Sequence, residues 1–225
     1  MADTSVDMSV YDEEYRIYKC VLVTVGASAS FKPLIEEVLS DAFIAKLKEL
    51  QFTNLIVQCG PDYDYFLSAQ PPKDAIDDPN RLNVIGFPYK QDIQRWFALA
   101  APSTTRESAK RAKGVIITHA GSGSILDALD YDTTIIAVPN PALMGNHQSE
   151  IAEEMEKQGF LTQGKLGSLA EQLTAELLDT PTPEWPPEPD ADAPWPGGLW
   201  QVIMALMPRE TVEEAEAQQH RCVCM

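Results

Sequence analysis

Residues 21–25, Val-Leu-Val-Thr-Val, make an apolar run in which polar and apolar positions do not alternate. A strand of that kind is buried on both faces, the condition of a parallel sheet covered by helices on each side. Similar runs recur over residues 54–59, 82–87, 115–118 and 134–138, and the first extends back to Tyr18. Between them lie segments with helical spacing. Leu34, Val38, Phe43, Leu47 and Leu50 support a helix from Phe31 or Pro33 to Leu50, with proline admissible in its first turn. Further helices are expected over 91–100, 123–129 and 147–158, the last closed by Gly159, a favoured residue after a helix end. Alternating strands and helices define a doubly wound, mostly parallel, Rossmann-like α/β sheet.

The flanks differ from this core. Residues 1–16 read as an acidic tail and 17–179 as the α/β domain. Residues 180–198 form a proline-rich linker carrying Trp185 and Trp195, and 199–225 a helical segment and tail in which Leu199-Trp200-Gln201-Val202-Ile203-Met204 needs a surface to cover. Inside the domain, residues 61–81 with Pro71, Pro72 and Pro79 are expected as a long loop. The polar stretch 102–113 either extends the preceding helix or interrupts it. A formal charge of −17 argues against broad attraction to nucleic acid or anionic lipid, so a phosphate ligand has to be held locally by amides and helix ends. The four cysteines, at 20, 59, 222 and 224, fit neither a disulfide framework nor a zinc spacing. Cys20 and Cys59 read as small buried hydrophobes. With no secretory segment and no membrane-length apolar run, a cytoplasmic location is expected.

Candidate chemistry gathers where strands end. Val115-Ile116-Ile117 leads into His119-Ala120-Gly121-Ser122-Gly123-Ser124-Ile125-Leu126-Asp127. Small residues at such a turn let backbone amides crowd a bound group, and a helix opening there carries positive potential. The turn Gly26-Ala27-Ser28 follows the first strand, and Asn146, His147 and Gln148 follow the last. In open α/β sheets ligands bind at that carboxyl edge. Each residue also has a structural alternative. Asn146 suits a helix N-cap, His147 a solvated or capping role, His119 closure of its turn, and Asp127 an acid favoured by the helix dipole. No Gly-x-Gly-x-x-Gly follows the first strand, which weakens a dehydrogenase reading.

Val23-Thr24-Val25-Gly26, the 119–127 motif, and Val138-Pro139-Asn140 followed by Asn146-His147-Gln148 and Glu150-Ile151-Ala152 carry a family resemblance over about residues 18–178. In this order they resemble the soluble catalytic subunits of the eukaryotic two-part N-acetylglucosaminyltransferase of asparagine-linked glycosylation, of glycosyltransferase family 28 type. The resemblance implies the carboxyl-terminal, donor-binding half of a GT-B glycosyltransferase. It implies transfer of N-acetylglucosamine from UDP-N-acetylglucosamine to dolichyl-diphosphate-N-acetylglucosamine. It places Gly26 and Ser28 on the donor diphosphate, and Gly121, Ser122, Gly123 and Ser124 on phosphate and uridine. Asp127 falls on the ribose hydroxyls, where the family usually carries glutamate, and Asn146, His147 and Gln148 on the sugar. His147 is this chain's candidate catalytic base, with a partner residue as the alternative. No metal or cofactor is implied, UDP-N-acetylglucosamine being a substrate. The implied partner is a membrane-anchored subunit that supplies the acceptor half and recruits this chain to the cytosolic face of the endoplasmic reticulum.

The first turn departs from the shared pattern, reading Gly-Ala-Ser-Ala-Ser in place of Gly-Thr-Thr-Ser, and the 102–113 insertion and the proline-rich tail lie outside the shared core. Separately, Cys222-Val223-Cys224-Met225 fits a prenylation box with a non-aliphatic middle residue. A nucleotide-sugar-binding regulatory module without turnover is the alternative function.

Overall fold

The structure, a computed structural model, describes residues 17–90, 92–103, 110–142 and 147–185. By its internal contacts the chain divides into two units, Met1–Pro183 and Glu184–Met225, and only Glu184 and Trp185 of the second are described. The 1–16 tail, Asn146, the side chain of His147, the 199–207 segment and Cys222 lie outside the described residues.

The first unit is built on a six-stranded sheet in the order β3-β2-β1-β4-β5-β6. The strands are β1 Cys20–Thr24, β2 Asn54–Gln58, β3 Asn83–Phe87, β4 Val115–Thr118, β5 Thr134–Ala137 and β6 Thr162–Gln163. Every pairing is parallel. This is the doubly wound order, and it reverses between β1 and β4. The mostly parallel sheet expected from sequence is therefore wholly parallel, and β6 is an addition to it.

The absence of alternation in the strand sequences has the expected cause. Val21, Val23, Leu55, Val57, Val115 and Ile117 join one core with Phe31, Leu34, Ile35 and Val38 of α1 (Lys32–Val38) and Phe43 and Leu47 of α2 (Asp41–Glu49). The intervening Leu22, Ile56 and Ile116 are fully buried too. On the strand that lies at the sheet's centre, α4 (Gln94–Ala100) packs on β1, and α5 (Ser122–Leu129) packs on β4 and β5. Each fully buried aliphatic side chain contributes about 1.5–3 kcal/mol, so the double coverage is what holds the sheet.

Two expectations are corrected. The helix read as continuous from Phe31 or Pro33 to Leu50 breaks at Leu39 and Ser40, because the Ser40 hydroxyl accepts the Phe43 N–H at 3.3 Å and caps a second helix. The loop read over 61–81 contains a 3₁₀ turn, Gly60–Asp62, and helix α3, Tyr63–Ala69. Phe66 anchors α3 against β3, where a Cβ on Gly86 would come within 2.2 Å of the Phe66 ring. Helix α4 stops at Ala100, so 102–113 interrupts it. Its described flanks fasten to the start of the sheet: Tyr18 N–H donates to Lys110 O at 3.0 Å and Ala112 N–H to Tyr18 O at 2.9 Å. Helix α6 (His147–Lys157) ends two residues before Gly159, whose φ of +80° suits glycine. Two short helices, α7 (Leu169–Gln172) and α8 (Ala175–Asp179), close the unit. Among the described residues no helix is long and apolar enough to cross a membrane.

Candidate functional site

The reversal of strand order puts the turns after β1 and β4 side by side. The first is moored at both ends. At its start, Thr24 Oγ1 donates to Gln58 Oε1, Gly26 N–H donates to Thr24 Oγ1 at 3.3 Å, and Gln58 Nε2 donates to Gly26 O at 3.4 Å. Thr24 and Gln58 are buried and paired in register on β1 and β2, so this small ring fixes the direction of the turn from below. Gly26 itself sits at φ +84°, open to glycine without strain. At the far end, Asp62 accepts the Ser30 hydroxyl at 2.8 Å and the Phe31 N–H at 2.7 Å. Between these moorings Ala27, Ser28 and Ala29 make no hydrogen bond with the described residues, and Ser28 is exposed. A fixed turn with a free centre is what an anion-binding nest requires.

The second turn faces it. Helix α5 begins at Ser122 with Gly121 as its N-cap and no side chain capping it. The first-turn N–H groups of Ser122, Gly123 and Ser124 have no intrahelical acceptor and carry the positive end of the dipole. A Cβ on Gly123 would meet nothing within 4 Å, so the amides are uncovered on that side. Ala120, fully buried, takes φ +61°, a conformation that costs an alanine about 1–2 kcal/mol and places the strain at the turn.

His119 joins the two turns. Its N–H donates to Thr24 O at 3.0 Å, and its imidazole stands between Gly26 and Gly121. A Cβ at Gly26 would lie 2.8 Å from the ring, and one at Gly121 only 2.4 Å from Nε2. Burial lowers the imidazole pKa below the ordinary histidine value, outweighing the opposing pull of the Thr24 backbone on the ring. His119 Nδ1 and Thr118 Oγ1 are buried with no hydrogen-bond partner among the described residues.

The other expected residues are placed as follows. Ser124 and Asp127 lie half-buried on α5, and Gln94 Nε2 of α4 donates to Asp127 Oδ2 at 3.4 Å. Gln148, in the first turn of α6, accepts the Asn140 N–H on Oε1 at 3.1 Å. The crevice therefore gathers Gly26, Ser28, His119 and Gly121 to Ser124 along one edge, with Gln148 tied to it through Asn140. Sequence reasoning missed Gln58 and Asp62 as residues holding the site, and had Asn140 only as part of the Val138-Pro139-Asn140 motif. The signal available was a polar residue ending an otherwise apolar strand, as at Gln58 and Thr24. Among the described residues no group of three His, Cys, Asp or Glu is placed to hold a metal ion. A shallow pocket lined by Thr134, Phe160, Leu161 and Thr162 lies at the amino ends of β5 and β6, away from this edge.

A wholly parallel doubly wound sheet with uncapped amides at its switch point defines a nucleotide-binding α/β domain. Comparison with known proteins narrows the class: the chain belongs to the glycosyltransferase family 28 C-terminal domain family, whose pattern matches residues 20–193. It is similar to the UDP-N-acetylglucosamine transferase subunit ALG13 of Yarrowia lipolytica, with 34% identity over 150 residues covering 66% of this chain and 67% of the relative. It is also similar to the subunit of the same name from Kluyveromyces lactis, 33% identical over 185 residues covering 70% and 88%. A solution NMR structure of ALG13 superposes with a TM-score of 0.51 at 27% identity, covering 74% of this chain and 90% of that one. The family expected from the sequence motifs is the family found, and the chain is a glycosyltransferase domain.

Proposed function

We propose that this chain is the donor-binding catalytic subunit of a two-part glycosyltransferase that moves N-acetylglucosamine from UDP-N-acetylglucosamine to dolichyl-diphosphate-N-acetylglucosamine. The observation that carries the reading is the pairing of two open amide sets, residues 27–29 and the α5 N-terminus, across the switch point. The relatives' name, a subunit of a UDP-N-acetylglucosamine transferase, supplies the substrate class. The acceptor half belongs to a membrane-anchored partner, which would bring the chain to the cytosolic face of the endoplasmic reticulum.

In this reading the diphosphate lies between the two turns. An acceptor hydroxyl attacks the sugar's anomeric carbon, the bond from that carbon to the β-phosphate oxygen breaks, and UDP leaves with the bonding pair. The hydroxyl proton passes to a general base, for which His147 or a partner residue is the candidate. Amides aimed at the diphosphate act on charge that grows during the step, and removing one such donor typically costs about 2.7–4 kcal/mol in the barrier. Asp127 is the acceptor for ribose hydroxyls, and Asn146 and Gln148 address the sugar.

The test is transfer from radiolabelled UDP-N-acetylglucosamine to the lipid acceptor by the full chain, with and without the partner subunit in membranes. Transfer by the pair and little by the chain alone supports the reading. Donor binding without transfer in the pair makes the chain a regulatory module.

A further inference from the structure

Asn140 follows β5 and is 6% exposed. Its Nδ2 donates to Ser30 O at 2.9 Å, across 110 positions of sequence. Its Oδ1 accepts the Ala142 N–H at 3.0 Å, and its own N–H donates to Gln148 Oε1 at 3.1 Å. The orientation of both amides is forced, since a carbonyl must meet an NH₂ and a backbone N–H must meet an oxygen. With Gln148 held by its oxygen, its NH₂ is the end left for a ligand.

A buried amide is costly unless paired, and an apolar residue would fill the same space without that demand. The bonds of Asn140 join parts that packing alone leaves separate. Ser30 closes the 26–31 turn, which Asp62 holds from the other side. Residues 140–142 form the bend leaving β5, and Gln148 opens α6.

We propose that Asn140 is the positioning residue of the donor site, locking the diphosphate turn to the segment that carries the sugar-facing amide of Gln148. The inference rests on the reading of the crevice as a nucleotide-sugar site. It acts through the backbone of Ser30 and touches no ligand itself.

Asn140→Asp tests it, because the isosteric carboxylate keeps the acceptor for Ala142 and leaves the backbone N–H to Gln148 in place, while the donor to Ser30 is lost. Calorimetric titration of the full chain with UDP and with UDP-N-acetylglucosamine is the measurement. Loss of one hydrogen bond that fixes the turn is expected to weaken both ligands by about tenfold and by the same factor, with unchanged circular dichroism. Asn140→Ser, too short to reach Ser30, is the second variant should the first not fold, and the same loss is expected. A folded variant binding UDP within about twofold of wild type overturns the inference, leaving the donor-site reading intact. Wild-type chain that binds neither ligand overturns that reading, and the inference with it.

Discussion

Gly121 and Gly123 stand two positions apart in the same turn, and replacing each by alanine is expected to shift stability in opposite directions. At Gly121 the backbone, φ −70° and ψ 132°, accepts any residue, so the cost is contact plus the smaller loss of replacing a glycine N-cap by alanine. The new methyl would lie 2.4 Å from His119 Nε2 and 2.9 Å from Cε1. Relief needs the imidazole to retreat by about 1 Å, and Gly26 closes the space on its other side. Overpacking of this kind costs about 1–3 kcal/mol. For a domain of this size that is a fall in Tm of roughly 2–4 °C per kcal/mol. At Gly123 the methyl meets nothing within 4 Å and sits in a helix, so alanine is expected to stabilise by about 0.5–1 kcal/mol. Thermal and urea unfolding followed by circular dichroism read both. His119→Ala supplies the control: in that background Gly121→Ala is expected to lose its contact cost and keep only that of the alanine N-cap. A Gly121→Ala chain as stable as wild type, or one whose penalty is undiminished by removal of the imidazole, refutes the wedge geometry.

The wedge also sets a pH dependence. Burial lowers the folded-state pKa of His119, so as pH falls the unfolded chain takes up the proton first. This contribution to stability is complete above the unfolded value of about 6.5 and is lost between there and the folded pKa. Urea midpoints are expected to drop as pH falls through and below the unfolded value, and to drop less in His119→Gln; an identical slope in that variant would assign the effect to other groups. Burial pushes the thiols of Cys20 and Cys59 up to about 12. Peptide mapping after alkylation near pH 8 should therefore find both unmodified in the native chain and both modified in denaturant, and rapid native labelling of either would contradict their burial.

Much of this was legible because the sheet's requirements are local. The non-alternating runs located β1 to β5 within a residue or two, since a strand covered on both faces leaves no polar position to confuse the period. The turn at His119 was legible from small residues after such a run. What escaped depended on tertiary partners. Nothing in the periodicity of residues 33–50 marks the break at Ser40, because the apolar spacing continues through it and only the serine-aspartate pair signals a new N-cap. Helix α3 was hidden among prolines, its anchor being the space above Gly86 on a distant strand. Gln58, Asp62 and Asn140 act on backbone groups 32, 31 and 110 positions away, and sequence spacing carries no trace of such pairs.

The central claim is that the diphosphate of a UDP-sugar lies between the turn after β1 and the start of α5. Amide chemical-shift mapping of the isotopically labelled full chain, titrated with UDP-N-acetylglucosamine, addresses it most directly. The largest changes are expected at residues 27–30 and 119–124, saturating together. Saturable binding that leaves both turns unmoved, with the changes gathered instead around Thr134, Phe160 and Thr162 at the opposite end of the sheet, would contradict it.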